Sequence, residues 1–196
     1  MSERATFDLA TRVRSNAGAP LGEVFSFLSG LYFRGKMAYA TAFASVPEQA
    51  GPVAGTGVFV ITPNAGLRSP ETLVTRAALR RFAEVDVSAE NFAYRRPLER
   101  SATTLANDIG PECPVVLLGS IASAKYVDVL LGIFHDRLMF PQEFVGRGDM
   151  SRGGLMLRCA AAGEPLRYVP VAGAVRHGIR PPKLDPATRV PRSVGP

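Results

Sequence analysis

Pro114–Gly119 reads PVVLLG, four consecutive apolar residues between a proline and a glycine, with nothing polar alternating among them. A strand with one wet face alternates, whereas a continuous run fits a strand covered by helices on both faces. Downstream, GSIASAK leads into a helix with Val127, Leu130, Leu131 and Phe134 at i, i+3, i+4 and i+7. A short strand RLMF, the loop PQEFVGRGDM, a helix from Ser151 to about Ala162 and a last strand LRYVPV follow. Upstream, PLERSATTLANDIG puts Leu98, Ala102, Leu105 and Ile109 on one helical face and Gly110 where that helix stops. Before it come TRAALRRFAEV, a helix carrying Ala78, Leu79, Phe82 and Ala83, and GVFVIT, a second apolar and β-branched strand that ends at TPNAGL. EVFSFLSGL and the following Phe33, Met37, Ala40 and Ala44 supply two more helical segments. Strands alternating with helices predict an α/β fold: a three-layer Rossmann-like domain with a mostly parallel sheet of about four strands flanked by helices.

The boundaries expected are an N-terminal extension over 1–20, a single domain over 21–172 and a basic, Pro-rich, disordered tail over 173–196. The chain of 196 residues is long enough for one core without staples. It is 46% hydrophobic and 20% charged, and no apolar run approaches the roughly 20 residues that span a bilayer, so membrane insertion is not expected. The first twenty residues mix charges and lack the apolar stretch of a signal peptide, which predicts a cytoplasmic protein. Cys113 and Cys159 have no C-x-x-C or Cys/His pattern around them, and no motif calls for a metal or other cofactor. The net charge is +6, but Arg176, Arg180, Lys183, Arg189 and Arg192 against Asp185 place +4 of it in the tail and leave the body at +2. A basic tail is able to touch nucleic acid weakly through its phosphates; in the main it serves solubility.

In open α/β sheets a ligand sits beyond the carboxyl ends of the strands. Here those ends are TPNAGL, GSIASAK and the segment containing GRGDMSRGG. Asn64 suits a left-handed turn and can read a polar edge. Gly119 lets a backbone approach a ligand, and Ser120 and Ser123 stand at the start of a helix whose free N–H groups favour anions. Ser123 also has the plain reading of an N-cap. Lys125 adds a cation. In the glycine-rich loop, Arg147 and Arg152 offer forked donors, Gly148 and Ser151 offer backbone and hydroxyl groups, and Asp149 is the acid/base candidate beside Lys125. The duller reading pairs Asp149 with its neighbouring arginines and gives the glycines to a turn. Tyr32, Arg34 and Lys36 are placed to lean over the same edge.

Those three residues lie in GLYFRGKM (Gly30–Met37), which fits a phosphate loop except for Met37 where Ser or Thr belongs. A working phosphate loop follows a buried strand, keeps its centre small and ends in a magnesium-binding hydroxyl; this stretch follows a helical pattern and carries Leu31, Tyr32 and Phe33. It is therefore read as helix. His135 ends an amphipathic helix, where the dipole alone favours it, and there is no G-x-S-x-G elbow, Rossmann fingerprint or H-E-x-x-H.

The ordered set YFRGKMAYATAFA, VFVITPNAGL, PLERSATTLA, VVLLGSIASAKYVDVL and FVGRGDMSRGGLML resembles uncharacterised bacterial α/β proteins of unknown function over roughly Leu21 to Val171. The resemblance implies one intact domain and assigns no roles. The expectation is a protein binding a small anionic or nucleoside-like ligand, as a hydrolase or transferase on a nucleotide, nucleoside or sugar phosphate. The alternative is a non-catalytic regulatory module that contacts nucleic acid through its tail. Nothing in the sequence specifies an oligomeric state.

Overall fold

A computed structural model describes residues 6–122 and 124–175, together with 178, 179, 181, 182 and 184. The elements in chain order are α1 (Asp8–Arg14), β1 (Ala19–Pro20), α2 (Leu21–Phe43), β2 (Val60–Thr62), β3 (Gly66–Arg68), β4 (Leu73–Val74), α3 (Arg76–Ala83), α4 (Phe92–Asp108), β5 (Val115–Val116), α5 (Ala124–Phe134), β6 (Leu138–Pro141), α6 (Asp149–Ala162) and β7 (Tyr168–Pro170). Among the described residues no helix is long and apolar enough to cross a membrane.

The Rossmann-like expectation is overturned. In place of a parallel four-stranded sheet the described residues form three small sheets: β1 with β4, β2 with β3, and β5–β6–β7. Among the described residues only β5 and β6 run parallel, Val115 opposite Leu138 and Val116 opposite Met139, and the other pairs are antiparallel. Two local causes explain the error. PVVLLG pairs only Val115 and Val116 with β6, the ladder ending where the Leu117 amide donates to the Met139 carbonyl at 2.8 Å. The Leu117 side chain is buried in the core and the Leu118 carbonyl accepts from the Tyr32 hydroxyl. Apolar continuity here reflects contact with helices, not a strand between two layers. GVFVIT, in turn, folds back on itself. Thr62 Oγ1 donates to the Gly66 carbonyl at 2.8 Å and accepts from the Ala65 amide at 3.1 Å, closing a hairpin onto β3.

Helices dominate the packing. One cluster gathers Tyr94, Leu98, Ala102 and Leu105 of α4 against Val127, Leu130 and Phe134 of α5 and Leu138 and Phe140 of β6. A second joins Leu9 and Val13 of α1 to Leu21 and Val24 of α2, with Val60 and Val74. The segment expected as an N-terminal extension thus contributes a helix and a paired strand to a core. A third cluster sets Tyr39 of α2 against Met156 of α6, with Phe144 and Leu166.

Two glycine features shape α2. Gly30 has φ 67° and ψ −147°, outside the helical region, so α2 is two helical pieces meeting at a break. Gly35 then meets Gly153 of α6 face to face. A Cβ on Gly35 would lie 2.6 Å from the Gly153 carbonyl oxygen, and one on Gly153 would lie 2.8 Å from the Leu31 carbonyl oxygen. The missing side chains let α2 and α6 form the most extensive contact between any two elements described.

Candidate functional site

The close crossing of α2 and α6 brings polar groups from both helices to the end of β5. Tyr32 and Lys36, one turn apart on α2, stack with the ammonium 4.0 Å from the ring centroid. The Tyr32 hydroxyl donates to the Leu118 carbonyl at 3.2 Å, and the Tyr126 hydroxyl of α5 donates to the Ser120 carbonyl at 2.9 Å. Gly119 is buried because the Tyr126 ring occupies the space where its side chain would be: a Cβ there would lie 2.6 Å from the Tyr126 hydroxyl. From α6, Arg152 reaches the same corner. Its Nε and Nη2 donate to the Phe144 carbonyl at 3.2 and 3.0 Å, and its Nη1 stands 3.6 Å from Asp149 Oδ1.

Burial in this corner opposes charge. It lowers the Lys36 ammonium from its ordinary range; Asp149 pulls the ammonium back up, and the Arg152 guanidinium, with a smaller effect, lowers it. Burial also pushes the Tyr32 hydroxyl up to about 12 against the opposing pull of Arg152. The Tyr126 hydroxyl is raised by burial as well.

The corner opens onto a cavity of about 1100 Å³ where the three apolar clusters meet. Phe33 and Met37 of α2, Val60 of β2, and Leu117, Leu130 and Phe134 form much of its wall. Lys36 and Tyr126 stand at the corner just described, while Tyr39 and Tyr168 share a hydrogen bond at 2.6 Å and Tyr39 accepts from the Leu166 amide. Elsewhere Gln49, Thr62, Asn107, Asp108 and Glu112 line the cavity, with Asp108 accepting from the Ala54 amide at 2.7 Å. Tyr94, on the core face of α4, is 1% exposed and touches the cavity, and its hydroxyl has no partner among the described residues. Burial raises that hydroxyl to about 12.

The residues singled out from sequence distribute unevenly over this arrangement. Gly119 lines the cavity, and Ser120 adjoins it as the acceptor for Tyr126. Arg152 and Asp149 reach Lys36 and Tyr32 electrostatically without lining the cavity, and Asp149 is largely exposed in the first turn of α6. Arg147 turns back on its own loop, donating to the Glu143 carbonyl at 3.0 Å and to the Ser151 hydroxyl at 3.3 Å. Gly148 is the exposed, extended residue preceding α6. Asn64 ties the β2–β3 turn to the Arg81 carbonyl of α3 at 3.0 Å. Lys125 is exposed on α5, and Ser123 lies outside the described residues. Four of the five cations counted in the basic tail (Arg176, Arg180, Arg189, Arg192), its fifth, Lys183, and His177 lie outside them too.

Sequence reasoning missed Tyr94 altogether and gave Lys36 only a secondary place. Both had a signal. Tyr94 continues the Leu98, Ala102, Leu105 stripe one turn earlier, placing a hydroxyl on an apolar face. Lys36 lies between Phe33 and Met37, residues already assigned to the inner side of their helix. No protein-family model, curated protein or solved structure matches this chain.

Proposed function

We propose that this protein binds an amphipathic small molecule, its apolar body in the cavity between the three clusters and its anionic head group beside Lys36, with the Arg152 guanidinium reinforcing the positive field. The cavity carries this reading: about 1100 Å³ of mostly apolar wall with a lysine at one corner. Its volume matches the upper end of small-molecule sites, which run from roughly 300 to 1,000 Å³. Magnitudes decide which part of the ligand supplies affinity. Each buried methylene contributes about 0.8 kcal/mol, so an eight-carbon chain supplies about 6 kcal/mol. A partly solvated anion–lysine pair supplies about 1 kcal/mol. The apolar body therefore sets affinity and the head group sets orientation, which favours a carboxylate or phosphate carrying hydrocarbon or aromatic rings over a bare sugar phosphate. Asp149 and Lys125 stand outside the cavity wall, and this reading gives neither an acid/base role.

Thermal unfolding with octanoate, octyl phosphate, adenosine monophosphate, acetate and inorganic phosphate tests it. Octanoate and octyl phosphate at about 100 times their dissociation constants should stabilise by about 2.7 kcal/mol, with acetate and phosphate ineffective. Lys36→Met should weaken octanoate binding several-fold. Equal shifts from phosphate and octyl phosphate, or no shift from either eight-carbon ligand, would remove the proposal.

A further inference from the structure

The chain makes its cations almost entirely from arginine, with 20 Arg and only three Lys: Lys36, Lys125 and Lys183. One of the three is built into the wall of an apolar cavity, against the Tyr32 ring. The contacts Lys36 makes do not explain why it is lysine. Arginine stacks on an aromatic face at least as well and pairs with a carboxylate in a better-matched geometry. What lysine does and arginine does not is give up its proton and use the nitrogen as a nucleophile. The surroundings favour that use through burial among apolar neighbours on α2 and a void large enough to hold a reacting molecule against the amine; of the two charges nearby, Asp149 favours the ammonium more than Arg152 opposes it.

We infer that Lys36 is a carbonyl-reactive amine, forming a reversible imine with aldehydes or ketones whose apolar body occupies the cavity. The inference rests on the cavity being a ligand site, as proposed above, and adds the reactive group of the ligand. The nitrogen lone pair attacks the carbonyl carbon as the C=O π electrons move to oxygen. Water carries a proton from nitrogen to that oxygen to give the carbinolamine. Its nitrogen lone pair then forms the C=N bond as the C–O bond breaks, and the remaining N–H proton joins the departing hydroxide to make water. One aldehyde and one amine become one imine and one water, with no change of oxidation state. Anions and carbonyls use different forms of the same side chain: an anion pairs with the ammonium, a carbonyl consumes the neutral amine. Burial favours the neutral form of Lys36; of the titratable groups facing it, Asp149 opposes that form and Arg152, with a smaller effect, favours it. Burial keeps the Tyr32 hydroxyl protonated through neutral pH.

The full-length protein treated with octanal and cyanoborohydride at neutral pH provides the test, because hydride delivery to the imine carbon fixes the adduct as a secondary amine that peptide mapping can locate. Lys36 should be labelled several-fold more than the exposed Lys125, and octanoate should protect Lys36 while leaving Lys125 unchanged. Labelling of Lys36 at or below the level of Lys125 overturns the inference. Lys36→Arg separates it from the binding proposal. This variant should keep the thermal shift with octanoate and lose the adduct at position 36. Selective labelling of Lys36 without any octanoate shift would leave the imine chemistry standing and remove the anionic head group. An octanoate shift without selective labelling would do the reverse.

Discussion

Tyr94 places a phenol where no described residue bonds its hydroxyl. A buried hydroxyl without a partner costs about 1–3 kcal/mol relative to one that is satisfied, so a side chain of the same shape lacking the oxygen should be tolerated. Tyr94→Phe is expected to leave stability unchanged or raise it by about 1 kcal/mol in chemical denaturation. The pH dependence has a definite sign. The hydroxyl titrates at about 12 in the folded protein against 10.0 in the open chain, so its contribution is complete below pH 10 and is lost as pH rises toward 12. About two pKa units correspond to roughly 2–3 kcal/mol, and Tyr94→Phe should flatten the alkaline loss by about that amount. Tyr32 titrates in the same window and should preserve part of the slope. At this scale the sequence was partly legible. Gly119, Ser120, Asp149 and Arg152 were singled out for polar chemistry and fall at or beside one corner. Tyr94 was passed over because a tyrosine on an apolar stripe looks like any other core residue until its oxygen is seen to lack a partner.

The crossing of α2 and α6 depends on which glycine stands where. Gly153 and Gly154 are neighbours with opposite surroundings. A Cβ on Gly153 would press on the backbone of Leu31 and Tyr32, whereas one on Gly154 meets only the far end of Leu184, at 3.9 Å. Gly153→Ala should force the helices apart and cost about 1–3 kcal/mol or more. Gly154→Ala should gain up to about 1 kcal/mol from helix propensity. Thermal unfolding of the two variants side by side checks both. The order and spacing of the longer helices were readable from apolar periodicity, and α4 and α5 fall close to where it places them. The glycines of GRGDMSRGG were not readable in the same way. A glycine that lets two helices touch and a glycine that bends a loop around a ligand are the same letter, and only the partner helix distinguishes them.

Taken as a whole molecule, the chain was misread because strands were inferred from local apolar runs without their partners. β5 is two residues long and β2 is half of a hairpin. The apolarity that suggested a sheet instead lines the meeting place of three helix-rich clusters. The cavity at that junction should respond to filling from its wall. Ala40 stands there on the second piece of α2, and Ala40→Leu adds about three carbons to the void. This variant should be about 1–2 kcal/mol more stable without ligand, by transfer of the added carbons from water, and should show a smaller thermal shift with octanoate. The break at Gly30 bears on the same junction. Before it α2 buries Leu21 and Val24 with α1; after it Phe33 and Met37 still pack onto that same cluster, and only then does α2 bury Tyr39 with α6. An unbroken helix keeps one direction along its entire length, but the non-helical backbone at Gly30 ends that constraint. The two pieces of α2 therefore take separate directions, the first laid against α1 and the second against α6, so that one stretch of chain serves two packing neighbourhoods.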